Sequence, residues 1–245
     1  MPAKLPKISA IILPKNHHIF RFVITFIFFC LGLFGILNHA MWRDELNVWL
    51  IARDSSSLLE LFGNIKYEGH PALWYLCLYF LNQFTDNPIV MQIFHLLIAT
   101  STVFIFIKYA PFTQLQKVLF CFGYLPFYEY LVISRNYAIG LLLVCVFCAA
   151  YPTRNKGYLW LAVILFFLAN SNAYCLFIAF ALGLTLILEY GLRKKTSYLL
   201  SAKVSNMISS LIIFFLGIFS ALAQLISPAD STFKGGISGW ALGLS

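Results

Sequence analysis

Three short stretches of this chain hold side chains able to do chemistry. Met41-Trp42-Arg43-Asp44-Glu45 sets an arginine beside two acids, a group that can supply a base, an ion ligand or a phosphate anchor. As neighbours on a helix, Asp44 and Glu45 would point about 100° apart and so could not share one task. The same acids equally suit the first turn of a helix, where the N-terminal dipole favours negative charge. Tyr67-Glu68-Gly69-His70-Pro71, with Trp74 and Tyr75 one turn further on, reads as a sharp turn opening a helix with Pro71 at its first position. That turn would aim Glu68 and His70 over one surface, although solvated polar residues with an aromatic anchor account for the same sequence. Tyr128-Glu129-Tyr130 is followed by Arg135-Asn136-Tyr137. Glu129 and Arg135 would then end two apolar helices, where ionisable groups are costly unless paired or functional. Either a Glu129–Arg135 ion pair or a binding role is expected.

The elements that position these residues must be membrane helices. Of 245 residues, 61% are hydrophobic and 11% charged, against about 25% charged in a soluble domain. The net charge of +8 does not point to nucleic acid. Lys4, Lys7, Lys15 and Arg21 precede the first apolar run, Arg193, Lys194, Lys195 and Lys203 share one polar gap, and most others lie in pairs between runs. That dispersion is the pattern of cytoplasmic loops.

A span needs about 20 apolar residues. Candidates are 19–38, 88–107, 115–130, 137–151, 157–171, 173–190 and 206–226, giving an all-α polytopic protein of about seven transmembrane helices. Placing the basic loops inside puts 39–87, Glu129–Arg135 and 170–172 outside. The run 71–83 is then a helix in the interface within the first outer loop, as its aromatic content suits. Six of the nine acids, Asp44, Glu45, Asp54, Glu60, Glu68 and Asp86, lie in 39–87.

Other residues read more plainly. The six cysteines mostly fall inside apolar runs as small buried hydrophobes. His17 and His18 are expected at the interface, and His95 as a satisfied core histidine. Asn170 and Asn172 read as ordinary turn residues, and Glu189 as a local partner of the Arg193–Lys195 cluster. No Gly-rich phosphate loop, nucleophile elbow or metal-ligand spacing occurs, which argues against an ATPase or a serine hydrolase.

An acidic pair after the first span, a Glu-x-His-Pro turn before an interfacial helix and an arginine in the second outer loop together resemble the GT-C superfamily. These are membrane glycosyltransferases using polyprenyl-phosphate sugars. Trp42 to Tyr75 looks most like the bacterial branch of protein mannosyltransferase-like and aminoarabinose-transferase-like enzymes. The resemblance implies that 1–226 is the family's amino-terminal module, with 227–245 an external tail opening a further region. It implies a polyprenyl-phosphate sugar donor, a lipid, glycan or protein acceptor, and a site on the outer face of a bacterial plasma membrane. By position Asp44 matches the family's general base, with Glu45 its neighbour. Arg43, Glu68, His70, Glu129 and Arg135 would bind substrate, Arg135 meeting the lipid phosphate, while Trp74 and Tyr137 could stack on sugar or prenyl surface. No DxD-type pair appears, so no metal or other cofactor is expected. Two other classes remain open: a flippase for lipid-linked intermediates, against which stands the near absence of mid-span charge, and a non-catalytic module.

Overall fold

The computed structural model describes residues 17–196 and 204–226. Among them every regular element is helical. In chain order these are α1 (His17–Leu37), α2 (Arg43–Asp54), α3 (Leu58–Ile65), α4 (Leu73–Asn82), α5 (Ile89–Tyr109), α6 (Gln114–Cys121), α7 (Tyr137–Ala150), α8 (Leu159–Ala169), α9 (Ala173–Thr196) and α10 (Val204–Leu225). Five are long and apolar enough to cross a membrane: α1, α5, α7 with its 3-10 extension to Asn155, α9 and α10. The chain is an all-α, multi-pass membrane protein. The expected tail 227–245 lies outside the described residues, as do Lys4, Lys7, Lys15 and Lys203.

α1 shows what the bilayer does to a helix. Phe20, Ile24, Phe28, Gly32 and Ile36 are buried at a spacing of four, so one stripe faces α5, where Leu96, Ala99 and Val103 are also buried. The remaining faces keep Phe22, Phe26 and Phe34 exposed, which is favourable only with lipid as solvent. At Gly32 a Cβ would stand 2.8 Å from Leu131 Cδ2 and 2.9 Å from Leu96 Cδ1, so any larger residue would push both leucines aside.

Two of the expected spans are shorter than the sequence suggested. The run 115–130 breaks after α6. Gly123 follows the helix and Pro126 has no N–H to continue it, and the chain passes through a π-helical turn, Leu125–Glu129, closed by Tyr130 N–H donating to Leu125 O at 2.9 Å. The run 157–171 yields α8, whose 11 residues rise about 16 Å at 1.5 Å each. Both segments still pass from one end of the bundle to the other. Lys117 Nζ donates to Ile107 O at the end of α5, while Ser134 reaches Glu45 at the opposite end.

α4, with 10 residues, rises about 15 Å and is too short to span, as expected of 71–83. Together α2, α3 and α4 cap one end of the bundle. Trp49, Leu61, Trp74, Tyr75 and Leu78 pack there against Met91 of α5 and Ala138 of α7. The start of α4 is anchored from below. Leu73 N–H donates to Asn170 O at 3.2 Å and Ala72 N–H to Gln224 Oε1 at 2.7 Å. Asn170 is buried, its Oδ1 accepting from Ser220 Oγ at 2.9 Å and Gln224 Nε2 at 3.1 Å.

Candidate functional site

Asp44 and Glu45 open α2, and the helix turns them to different surroundings. Glu45 is fully buried. Its Oε2 accepts from Trp42 N–H at 2.8 Å, the return half of a helix-capping box, and lies 2.8 Å from His39 Nε2. Its Oε1 accepts from Ser134 N–H at 2.6 Å. One carboxylate thus joins the end of α1, the start of α2 and the segment before α7. That segment is held from the other side by His95 of α5, whose Nδ1 lies 3.0 Å from Leu131 O and Nε2 3.2 Å from Arg135 O. A neutral ring donates to one of these carbonyls.

Between these two clamps Arg135 extends to Asp44, Nη1 donating to Oδ2 at 2.8 Å. The Asp44 side chain remains 68% exposed and that of Arg135 21%. Beside the pair opens a cavity of about 160 Å³, lined by Asp44, Asn47, Val48, Glu68, His70, Trp74, Tyr75, Arg135 and Asn136. Three segments distant in sequence, 44–48, 68–75 and 135–136, meet there.

The Glu68 turn forms, although the helix it opens begins at Leu73 with Ala72 as its N-cap, two residues beyond the expected Pro71. Gly69 has φ +65°, a conformation glycine adopts without penalty, and the turn carries Glu68 and His70 into the cavity wall. Glu68 Oε2 accepts weakly from Asn47 Nδ2 at 3.3 Å and from Tyr75 OH at 3.4 Å. Burial, then the Glu68 carboxylate, pushes the Tyr75 phenol above its usual range, so it stays a donor. Burial pushes His70 below its usual 6.5 and the Arg135 guanidinium adds to this, with Glu68 and Asp44 opposing. The cavity wall also holds unspent polar atoms. His70 Nδ1, Trp74 Nε1 and Asn136 Oδ1 are buried without a hydrogen-bond partner, a costly state that a bound polar group or water would relieve.

Of the residues singled out by sequence, Asp44, Glu68, His70, Trp74 and Arg135 share this cavity. Glu45 does not line it; the carboxylate is consumed by backbone and His39, so its expected catalytic role gives way to holding the Arg135 segment in place. Trp74 is 1% exposed, stacked on Phe94 at 6.0 Å and edge-on to His95 at 5.9 Å. One indole face is therefore already covered, and its N–H is what remains to offer, in place of the expected stacking platform. Arg43 is exposed and does not line the cavity. The expected Glu129–Arg135 pair is not formed. Arg135 takes Asp44, Glu129 Oε1 accepts from Tyr124 OH at 2.9 Å, and Glu129 and Tyr137 line a separate groove.

Sequence reasoning missed His39, Asn47 and Asn170. His39 and Asn47 lie within the acid-rich loop but in no motif, and Asn170 reads as a turn residue until its network is seen. Among the described residues no three His, Cys, Asp or Glu side chains come close enough to hold a metal ion. The searches of family models, of curated proteins and of solved structures find no match for this chain.

Proposed function

We propose that this chain is a membrane glycosyltransferase module of GT-C type, moving a sugar from a polyprenyl-phosphate donor to an acceptor hydroxyl on the outer face of a bacterial plasma membrane. The observation that carries the reading is the convergence of Asp44, Glu68, His70 and Arg135 on one cavity at a membrane-facing end of the bundle. Orientation follows from charge. Arg21, Lys108, Lys117, Arg154, Lys156 and the Arg193–Lys195 end of α9 stand at the end away from the cavity, against Arg43, Arg53, Lys66 and Arg135 at the cavity end, so the former would face the cytoplasm with the N-terminus.

In this reading the exposed Asp44 carboxylate takes the proton of the acceptor hydroxyl as its oxygen attacks the anomeric carbon. The anomeric carbon–oxygen bond to phosphate breaks, and the polyprenyl phosphate leaves with the electron pair. Arg135 spends Nη1 on Asp44, leaving the rest of its fork for the growing charge on that phosphate. The buried N–H of Trp74 and the His70 ring supply fixed polar contacts for the sugar.

The test is transfer from a panel of polyprenyl-phosphate sugars in reconstituted membranes, comparing wild type with Asp44→Asn. Transfer by wild type that vanishes in the variant is expected. Full transfer by Asp44→Asn removes the proposed base, and no transfer by well-folded wild type overturns the reading.

A further inference from the structure

A second groove, of about 400 Å³, runs between α7, the start of α9 and the turn Leu125–Glu129. Its body is apolar, with Leu141 and Val144 on α7 facing Ile178 on α9. The two helices come together at Gly140, where a Cβ would overlap the Cys175 sulfur. Its mouth is different in kind: Glu129 stands there among Tyr130, Tyr137 and Tyr174. The Glu129 carboxylate accepts from Tyr124 OH through Oε1, and among the described residues no Lys, Arg or His forms an ion pair with it. A half-buried carboxylate without a cation of its own is attractive to a cationic group that reaches the mouth.

The geometry points to a binding site for one aminophospholipid, with an acyl chain along Leu141, Val144 and Ile178 and the primary ammonium on Glu129. Charge complementarity selects the occupant. A primary ammonium brings three N–H donors to a carboxylate with an oxygen to spare, and tyrosine rings beside it add cation–π attraction. A trimethylated head has no N–H to give, and an anionic head is repelled. The lipid phosphate stays at the wet mouth. None of this rests on the transferase reading, since the groove shares no lining residue with the Asp44 cavity.

The experiment exchanges the purified full chain into micelles carrying phosphatidylethanolamine, phosphatidylcholine or phosphatidylglycerol of identical acyl chains, and counts retained lipid by native mass spectrometry. Wild type is expected to retain the ethanolamine lipid in preference by roughly tenfold, the scale of one charge-assisted hydrogen bond. Glu129→Gln, which keeps size and the Tyr124 contact, should bring the three lipids to near parity. Ile178→Trp, which fills the body of the groove from a lipid-exposed position, should cut retention of all three. Equal retention of the three lipids by wild type overturns the proposal, and so does a preference that survives Glu129→Gln. Undiminished retention by Ile178→Trp places the lipid elsewhere and overturns it too.

Discussion

Two arginine–carboxylate pairs stand at opposite ends of this bundle, and they are built for different purposes. At the end away from the cavity, Arg154 Nε donates to both oxygens of Glu189 at 3.0 and 3.2 Å, and its Nη1 donates to Tyr151 O at 3.1 Å. The guanidinium lies 3.9 Å over the Tyr151 ring, and Tyr151 OH donates to the same Glu189 at 2.6 Å. Everything near it is used, and the result is a staple between the end of α7 and α9. Arg135 makes a single bond to an acid that is mostly exposed, next to an open cavity with unpartnered polar atoms in its wall. The first pair is fully spent on structure, whereas the second keeps donors free beside an open cavity, as the proposed site requires.

That contrast can be broken by experiment. Asp44→Asn should lower sugar transfer by about 10²- to 10⁴-fold, the usual worth of a positioned base, while the thermal midpoint in detergent hardly moves, because the side chain is exposed. A large loss of stability instead would make Asp44 a second staple. Its neighbour should behave in the opposite sense. Glu45→Ala strands Trp42 N–H, Ser134 N–H and His39 in a buried site, and should cost about 3–5 kcal/mol in unfolding measurements. Transfer then falls because Arg135 is no longer held.

Smaller effects sharpen the picture. Glu189→Gln should cost about 1 kcal/mol of stability and leave transfer unchanged, since the pair is partly solvated; a change in transfer would show that the two ends are coupled. The smallest effect concerns pH. The folded pKa of His70 lies below 6.5, so below that pH the unfolded chain binds the extra proton and the fold loses stability as pH falls towards the folded value. His70→Gln should flatten that part of the midpoint-against-pH curve. An unchanged slope would mean the imidazole is freely hydrated.

Much of this architecture could be read from the chain. α1, α5, α7, α9 and α10 announce themselves as apolar runs, and basic residues in the gaps between runs gave their alternation. Gly69 and Pro71 marked the turn that carries Glu68 and His70. The residues that failed are those whose role is tertiary. Locally, Glu45 differs from Asp44 only in sitting at the third helical position, within reach of Trp42 N–H and His39; Ser134, ninety residues on, completes its burial. For Arg135 the sequence offered only Glu129 as a partner, and the π-helical turn after Gly123 sends Glu129 to another groove while Asp44 takes the arginine. Asn170 looks like any turn asparagine until Ser220, Gln224 and Leu73 are brought to it.

The short α8 has a consequence for the lipid around it. Leu159 and Trp160 at its start and Phe167 near its end are exposed, so an apolar helix that rises only about 16 Å at 1.5 Å per residue stands where hydrocarbon is normally about 30 Å thick. Hydrocarbon facing this flank would thin locally, at a modest free-energy cost for each ångström of mismatch. Thinning there would bring the headgroup layer towards Asn170, whose carbonyl holds the start of α4. The long spans α1, α5, α9 and α10 match a bilayer of ordinary thickness, so the mismatch is confined to the α8 flank.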